Sequence, residues 1–357
     1  MATKTPKAPD LSAPKPSPDD RRKAGPTRRR DGGKPSPART APKAAKAAPK
    51  PAPRRRDRGR ATLGDWIGAA RIPTLPLSVA PVVLGAASGY LATQEPGTDW
   101  WHWWRVANCL FVAVMLQLAV NYANDYSDGV RGADAARSAA APGRLVASGK
   151  ASPRAVLTVA IVCFALAAVG GLVLTVRTGH WWFILVGLAC MLAAWFYTGG
   201  KRPYGYLALG EVFVFLFFGF VATLGTDYAI AGHWPAFEAW LSAIAAGAFA
   251  TATILIAATR DIASDRLAGK RTLAVLMGSS ASRIVYLVLL AIPFAVLVVD
   301  GLLFENAIFG WFTLLLAIPA AVIAITARTA RELVVVMRLT TLASLGYALL
   351  LGWAIAF

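Results

Sequence analysis

Charged side chains are scarce in this chain: they make up 16% of its 357 residues, whereas hydrophobic residues make up 56%. Soluble domains carry roughly a quarter charged residues. The scarcity therefore excludes an ordinary water-soluble domain and indicates an integral membrane protein. The apolar runs are continuous and do not alternate with polar residues, which excludes a β-barrel and predicts an all-α membrane fold.

Cysteine and histidine are also rare, with three of each. Cys109, Cys163 and Cys190 lie in apolar stretches without CxxC spacing, which favours buried thiols over a disulfide or a zinc site. The histidines stand beside tryptophans in short connections, as is typical of residues at a membrane interface. Neither residue type predicts a metal site.

Acidic and large apolar residues are few at the N-terminus. Residues 1–60 contain 19 Lys and Arg against five Asp, and they are rich in Pro and Ala. Such a segment cannot bury enough apolar surface to offset its chain entropy. We predict a disordered cytoplasmic tail over 1–60 and a membrane domain over 61–357. Attraction to anionic lipid explains the basic charge more simply than nucleic acid, which is not an expected partner.

The rest of the chain contains nine apolar runs long enough to span a bilayer. They predict about nine transmembrane helices bundled around a central cavity, at approximately 75–92, 106–123, 154–175, 181–198, 207–230, 240–258, 284–303, 307–327 and 339–356. Loops on the side of the tail carry 15 Lys and Arg, and the others carry two. This bias predicts a multi-pass protein of the cell membrane with a cytoplasmic N-terminus.

Two polar stretches stand at the predicted cytoplasmic ends of the second and sixth spans. The first is NYANDYSDGVRGAD (121–134), in which Asn121, Asp125 and Asp128 are spaced i, i+4, i+7 and share a helix face, with Asn124 beside them. The second is TRDIASDRLAGKR (259–271), in which Asp261 and Asp265 share a face. Both stretches place costly polar groups at a membrane edge, which is typical of functional sites.

Carboxylates on successive helical turns suit Mg²⁺, whose other ligands are then water and substrate phosphate. The predicted metal ligands are Asp125, Asp128, Asp261 and Asp265. Asn and cationic side chains close to the acids are predicted to bind a diphosphate; they are Asn121, Asn124, Arg131, Arg137, Arg144, Lys201, Lys270 and Arg271. The alternative is that the acids are solvated helix ends and the cations serve only membrane orientation.

The stretches RIPTLPLSVAPVVLG (71–85), NYANDYSDGVRGAD, PGRLVASG (142–149), YTGGKRPYGYLALGEVFVFLFFGFVATLGT (197–226) and RDIASDRLAGKRTLAVLMG (260–278) occur in this order. Together they resemble the UbiA superfamily of intramembrane prenyltransferases, and within it the actinobacterial 1,4-dihydroxy-2-naphthoate polyprenyltransferase (MenA) type. The resemblance implies a nine-helix bundle whose cavity opens sideways to lipid. It also implies Mg²⁺-dependent transfer of a polyprenyl group from polyprenyl diphosphate to the naphthoate, with loss of diphosphate and CO₂, giving demethylmenaquinone.

The resemblance also assigns residues. Asn121, Asn124, Asp125 and Asp128 match its first acidic motif, Asp261 and Asp265 its second, with Lys270 and Arg271 following. Tyr197 and Lys201 match a YxxxK element and are catalytic candidates by that match. Asp128 or Asp134 is a candidate acceptor for the phenolic proton of the substrate, and a choice between them stays open. Candidates for aromatic walls that favour a carbocation are Tyr122, Tyr126, Phe213 and Phe217.

Three departures from the family pattern stand out. Gly132 replaces a third acid of the first motif, and Ala141 replaces the usual Gly of the GPxR element. Ala257 and Ala258 stand where asparagines usually precede the second motif, which predicts that one metal or phosphate contact is missing or is replaced by Thr259.

Rival functions remain at this level. Another aromatic acceptor, such as 4-hydroxybenzoate or homogentisate, is less compatible with the sequence stretches RIPTLP and AGKRTLAV, which resemble those of the naphthoate type. An ion-coupled transporter would place its acids near the midplane between broken helices, whereas here they lie at one face. A catalytically dead scaffold is the third alternative, since two asparagines of the family pattern are missing.

Overall fold

The computed structural model describes residues 60–94, 99–134 and 143–357. All regular secondary structure in these residues is helical. The α-helices are α1 (Leu63–Ala70), α2 (Pro76–Leu91), α3 (Asp99–Arg131), α4 (Pro153–Thr178), α5 (Phe183–Phe196), α6 (Gly210–Val214), α7 (Ala222–Ala231), α8 (Phe237–Leu267), α9 (Leu273–Met277), α10 (Ser279–Leu303), α11 (Leu314–Thr326) and α12 (Ala330–Ala356). The other helical turns are of 3₁₀ type at Ile72–Thr74, Tyr204–Tyr206 and Glu305–Thr313 and of π type at Phe215–Val221.

Seven helices of the described chain are long and apolar enough to cross a membrane, and the bent pair α1–α2 makes an eighth. The remaining predicted span, at approximately 181–198, corresponds to α5, which has only 14 residues, or about 21 Å against a hydrocarbon core of about 30 Å. The protein is thus an all-α, multi-pass membrane protein, as predicted, and nine spans is an approximate number. The predicted tail lies outside the described residues except for Arg60.

The bend between α1 and α2 follows from local sequence. Helix α1 begins with a capping box between Thr62 and Asp65 and ends at Arg71, whose φ of +54° is left-handed and uncommon for a residue with a Cβ. The proline-containing 3₁₀ turn follows, and the axis bends by 45°. This bend brings Arg71 and Thr74 to the wall of the central cavity.

The largest apolar core lies where α8 packs against α2, α10 and α12. Its largest side chains include Phe249, Tyr286 and Tyr347, all nearly or fully buried. The Tyr347 hydroxyl donates to the Pro293 carbonyl oxygen at 2.9 Å, and the Tyr286 hydroxyl is hydrogen-bonded to another buried hydroxyl. Polar groups inside a membrane bundle need such partners, because lipid supplies none.

Small residues let the helices beside the cavity approach closely. A Cβ at Gly85 of α2 would lie 2.1 Å from the Thr223 carbonyl oxygen of α7. Gly219 of the π turn faces Gly247 of α8, where an added Cβ would lie 3.0 Å from the Gly247 Cα. Such close backbone contacts are the usual device of helix packing in membranes. They hold the segment 215–231 against α2 and α8.

Candidate active site

A cavity of about 380 Å³ lies among the helices α2 to α8. Asp128 of α3 and Asp261 of α8 line one end, which we call the charged end, and most of the remaining wall is apolar. Along α3 the wall extends from Asp128 to Cys109, about 28 Å at 1.5 Å per residue. One cavity therefore offers separate places for a charged group and a long apolar chain.

One stripe of α3 faces this cavity. Its polar members are Gln117, Asn121, Asn124 and Asp128. Spacings of four, three and four residues keep them on one face of the helix. The Asn121 amide donates to the Ala70 carbonyl oxygen at 2.8 Å, and the Thr198 hydroxyl donates to Asn124 Oδ1 at 2.6 Å. Neighbouring segments therefore fix the asparagine orientations.

Asp128 at the charged end is only 2% exposed. Its Oδ1 accepts a hydrogen bond from the Tyr206 hydroxyl at 2.6 Å. Its Oδ2 accepts one from Lys270 Nζ at 3.0 Å and lies 3.5 Å from Arg144 Nη2. Two cations thus compensate a carboxylate that would be costly to bury alone.

The second acidic pair lies on the last turns of α8, where Asp261 and Asp265 both line the cavity. Asp261 receives two hydrogen bonds from the guanidinium of Arg260, at 2.8 and 2.7 Å. Lys270 Nζ lies 3.8 Å from Asp265 Oδ1, so this lysine connects the α8 pair to Asp128 of α3. The two predicted clusters therefore face one space.

The charge of the wall indicates how a diphosphate would be held. Four carboxylates line the cavity, from Asp128, Glu211, Asp261 and Asp265. Three cations line it, from Arg71, Arg144 and Lys270. Arg260, which pairs with Asp261, brings the number of cations to four, so the wall has no excess of positive charge and a diphosphate needs an added cation. Among the described residues no three acidic, His or Cys side chains converge as a ready metal site.

Tyr206 joins both clusters. Burial raises its pKa, and the adjacent Asp128 carboxylate, with the hydrogen bond to it, raises it further. The hydroxyl therefore stays protonated at neutral pH and can only donate to Asp128. Lys270 Nζ lies 4.6 Å from the centre of the Tyr206 ring, within the range of a cation–π contact.

Aromatic rings line the wall next to the charged end. Tyr197, Tyr204 and Phe213 form a contiguous series, with ring centroids 5.5 and 4.3 Å apart, and Phe217 follows 6.1 Å from Phe213. Phe217 lies in the π turn, a local irregularity that is often found at functional sites. Phe213 and Phe217, two of the candidates for an aromatic wall, therefore line the cavity. Tyr122, another candidate, does not line it, and its hydroxyl donates to the Trp66 carbonyl oxygen.

Eight predicted site residues line the cavity: Asn121, Asn124, Asp128, Arg144, Tyr197, Asp261, Asp265 and Lys270. Lys201 and Arg271 are exposed and lie outside it, since the loops that carry them turn outward. Arg131 is also exposed and donates to the carbonyl oxygens of Thr198 and Gly200. These three cations are not positioned in this structure to contact a ligand in the cavity. Arg137 and Ala141 lie outside the described residues.

Asp125 and Asp134 are buried but do not line the cavity. Asp134 Oδ2 lies 3.2 Å from Arg144 Nε, and that arginine lines the cavity. Both Asp125 oxygens accept backbone N–H groups, from Leu145 at 2.8 Å and Val146 at 3.2 Å. The predicted face of Asn121, Asp125 and Asp128 is therefore turned, so that Asn124 takes the place expected for Asp125.

Gln117, Arg71 and Tyr206 are among the cavity residues that were not predicted as site residues. Gln117 stands one turn before Asn121, and its Oε1 is buried without a hydrogen-bond partner among the described residues; its i, i+4 spacing was the available signal. Arg71 lies in the quoted RIPTLP stretch, but a single arginine at a helix end carries no specific signal. Tyr206 lies in YTGGKRPYGY, where only the tertiary fold shows which tyrosine reaches Asp128.

The two alanines that replace asparagines, Ala257 and Ala258, both line the cavity. Thr259 does not line it, and its hydroxyl donates to the Leu255 carbonyl oxygen within α8 at 2.7 Å. Thr259 is therefore not placed to substitute for the missing amides, and the α8 wall carries methyl groups at these positions.

Comparison with known families agrees with this architecture. The model of the UbiA prenyltransferase family matches residues 79–334. The chain belongs to this family. The match spans the segments that supply most of the cavity wall, from α2 to α8, and continues into α12.

Individual relatives narrow the resemblance. The chain is 42% identical to the 1,4-dihydroxy-2-naphthoate octaprenyltransferase of Mycobacterium tuberculosis, over 83% of this chain and 98% of that one. Enzymes of the same name from Escherichia coli and Bacillus subtilis are 33% and 30% identical, covering 81% and 90% of their lengths. The family assignment therefore holds over nearly the whole length of the mycobacterial relative.

Solved structures share the fold at low sequence identity. A UbiA homolog from Aeropyrum pernix K1, solved without ligand, has a TM-score of 0.56 and 16% identity and covers 78% of this chain and 96% of its own. A homolog from Archaeoglobus fulgidus bound to DMAPP and Mg²⁺ has a TM-score of 0.54 and 15% identity, covering 82% and 99%. These likenesses support the helical architecture.

Proposed function

We propose that this protein is a 1,4-dihydroxy-2-naphthoate polyprenyltransferase. It transfers a polyprenyl group from a polyprenyl diphosphate to the naphthoate, with loss of diphosphate and CO₂, and gives demethylmenaquinone at the quinol level. The observation that carries the proposal is the single cavity whose charged end, around Asp128 and Lys270, continues into a long apolar wall. The relatives named for this reaction support the choice of acceptor.

The residues at the charged end fit a divalent cation. Asp128, Asp261 and Asp265 would hold Mg²⁺, because carboxylates are its preferred protein ligands and the wall needs positive charge to accept a diphosphate. When bound, the ion supplies electrostatic stabilisation of the charge that builds on the departing diphosphate. The Archaeoglobus fulgidus homolog, solved with Mg²⁺ and a prenyl diphosphate, supports this choice of ion.

The side chains of the chain itself carry the remaining steps. Lys270 and Arg144 neutralise the diphosphate as the allylic C–O bond breaks and its electron pair leaves with the phosphate. The apolar wall beyond them excludes water from the allylic cation, and the rings of Phe213 and Phe217 stabilise it. The naphthoate ring carbon that bears the carboxyl group forms the new C–C bond, and CO₂ leaves as its bonding electrons restore the aromatic ring.

In this scheme Asp128 accepts the phenolic proton of the naphthoate as the new C–C bond forms and returns it to the same oxygen as CO₂ leaves. Of the two candidates, Asp128 lines the cavity and Asp134 is separated from it by Arg144. The prenyl chain enters from membrane lipid, and the diphosphate stays at the charged end. The positive charge of the flanking loops supports a cytoplasmic position for this end in the cell membrane.

The test is an acceptor panel. Purified protein in lipid vesicles is incubated with Mg²⁺, labelled polyprenyl diphosphate and either 1,4-dihydroxy-2-naphthoate, 4-hydroxybenzoate or homogentisate, and products are identified by mass spectrometry. We expect a prenylated, decarboxylated product with the naphthoate alone. Product with hydroxybenzoate only would overturn the acceptor assignment, and no product with any acceptor would overturn the enzymatic function.

A further inference from the structure

Asp125 stands one residue from the cavity face of α3 but makes its contacts elsewhere. Asp125 is 1% exposed, and its two carboxylate oxygens accept hydrogen bonds from the backbone N–H groups of Leu145 and Val146. An ionised carboxylate is an acceptor-only group and bonds strongly to two adjacent N–H donors. Asp125 is thus well suited to grip a turn of backbone, and its oxygens do not reach the cavity wall.

Other contacts also hold the turn at residues 144–150 that Asp125 binds. Gly129, one helical turn after Asp125, leaves room for it, since a Cβ there would lie 2.5 Å from the Val146 side chain. Leu145 is 2% exposed and belongs to a small apolar cluster with α1, α3 and α4. At the far end, Lys150 Nζ pairs with Asp65 at 2.6 Å in an exposed ion pair, which contributes little to holding the turn. The backbone of residues 144–150 is therefore held against α3, and Asp125 binds it directly beside Arg144.

This arrangement determines the position of Arg144. It directly precedes Leu145, is 9% exposed and lines the charged end. Its guanidinium lies 3.5 Å from Asp128 and 3.2 Å from Asp134. A shift of the Leu145 backbone would move the Arg144 Cα with it, because the two residues share a peptide bond.

From these contacts we infer that Asp125 is a positioning residue: it holds the 144–146 backbone so that Arg144 reaches the anion at the charged end, and it is not a ligand of the divalent cation. The inference rests on the proposed diphosphate site, and it separates the two acids of the ND-x-x-D stretch by role. Asp128 acts in the cavity, and Asp125 acts through Arg144.

The experiment measures ligand binding without turnover. Inorganic pyrophosphate and Mn²⁺, an EPR-active substitute for Mg²⁺, are titrated separately and together into detergent-purified full-length protein and its variants. We expect Asp125→Asn to weaken pyrophosphate binding about tenfold. The amide has only one acceptor oxygen, whereas the backbone N–H groups of Leu145 and Val146 each need an acceptor. Its Mn²⁺ affinity should stay within about twofold, whereas Asp128→Asn should weaken Mn²⁺ binding about tenfold or more.

A double-mutant cycle distinguishes positioning from general damage. Arg144→Gln should weaken pyrophosphate binding about as much as Asp125→Asn, and the double variant no more than either, because both remove the same contact. Asp65→Asn is the matched control: it removes the exposed pair at the far end of the turn and should leave binding unchanged. Thermal unfolding of each variant checks the fold. If Asp125→Asn does not fold, Asp125→Glu takes its place, because it keeps the charge but lengthens the side chain. It should likewise weaken pyrophosphate binding and leave Mn²⁺ binding nearly unchanged.

Two outcomes would overturn the inference: loss of Mn²⁺ affinity in Asp125→Asn equal to that in Asp128→Asn, or additive effects in the cycle with Arg144→Gln. Failure of the proposed reaction is detected separately, because it would appear as absence of prenylated product in unmodified protein that still binds Mn²⁺ and pyrophosphate.

Discussion

Helices α3 and α8 both bring carboxylates to the charged end, but the walls beside those carboxylates differ. On α3, amide side chains occupy the turns before Asp128, and hydrogen bonds from neighbouring segments hold the asparagines. On α8, the turn before Asp261 carries the methyl groups of Ala257 and Ala258. The α3 side is therefore a preorganised polar surface, whereas the α8 side depends on the carboxylates and on the cations beside them.

Removal of Asp128 should have the largest effect. Asp128→Asn leaves Lys270 and Arg144 without their shared carboxylate and removes a proposed cation ligand, so we expect prenyl transfer to fall about a thousandfold. The measurement is product formation from labelled polyprenyl diphosphate in vesicles, with Asp65→Asn as the control. Activity close to that of unmodified protein would remove α3 from the proposed clamp.

Removal of Asp261 should have the next largest effect. We expect Asp261→Asn to lower the rate about a hundredfold and to raise the Mg²⁺ concentration needed for half-maximal rate, because the α8 side has no amide to compensate. A Mg²⁺ titration of the initial rate measures both. An unchanged Mg²⁺ requirement would show that α8 does not hold the cation.

Loss of the Tyr206 hydroxyl should have a moderate effect. Tyr206→Phe removes one hydrogen bond to Asp128 and keeps the ring beside Lys270, so kcat/KM should fall about tenfold. Since the pKa of Tyr206 is raised, the hydroxyl donates throughout the neutral range, and the loss should be the same at neutral and mildly alkaline pH. A loss that vanishes at alkaline pH would contradict this role.

The smallest expected change tests the comparison between the helices directly. Ala258→Asn adds an amide oxygen to the α8 wall, and we expect it to lower the Mg²⁺ concentration for half-maximal rate about threefold. Ala258→Leu, of similar size but without the oxygen, should not lower it. Equal behaviour of the two variants would mean that side-chain volume matters here and ligand chemistry does not.

Much of the fold could be predicted because a bilayer demands long apolar runs and satisfied backbone groups. The acid positions on α3 and α8 also placed both clusters at one cavity. The rotation of α3 could not be predicted from its acids alone, since the Leu145 and Val146 backbone draws Asp125 away from the cavity.

The cations show the same limit. Lys201 is close to the acids only in sequence, and its loop turns it outward. Lys270 reaches Asp128 because its backbone N–H bonds to the Asp265 carbonyl oxygen at 2.8 Å and closes the end of α8. Sequence proximity does not distinguish these two lysines, because loop geometry decides where each side chain lies.

The central claim is that both acidic helices act on one diphosphate. The most direct test is an experimental structure of the protein in lipid with Mg²⁺ and a non-reactive thiodiphosphate analogue of the prenyl substrate. We expect the diphosphate to lie between Asp128 and Asp261, in contact with Lys270 and Arg144. The prenyl chain should extend along Phe217 towards Cys109. A diphosphate bound away from either helix would contradict it.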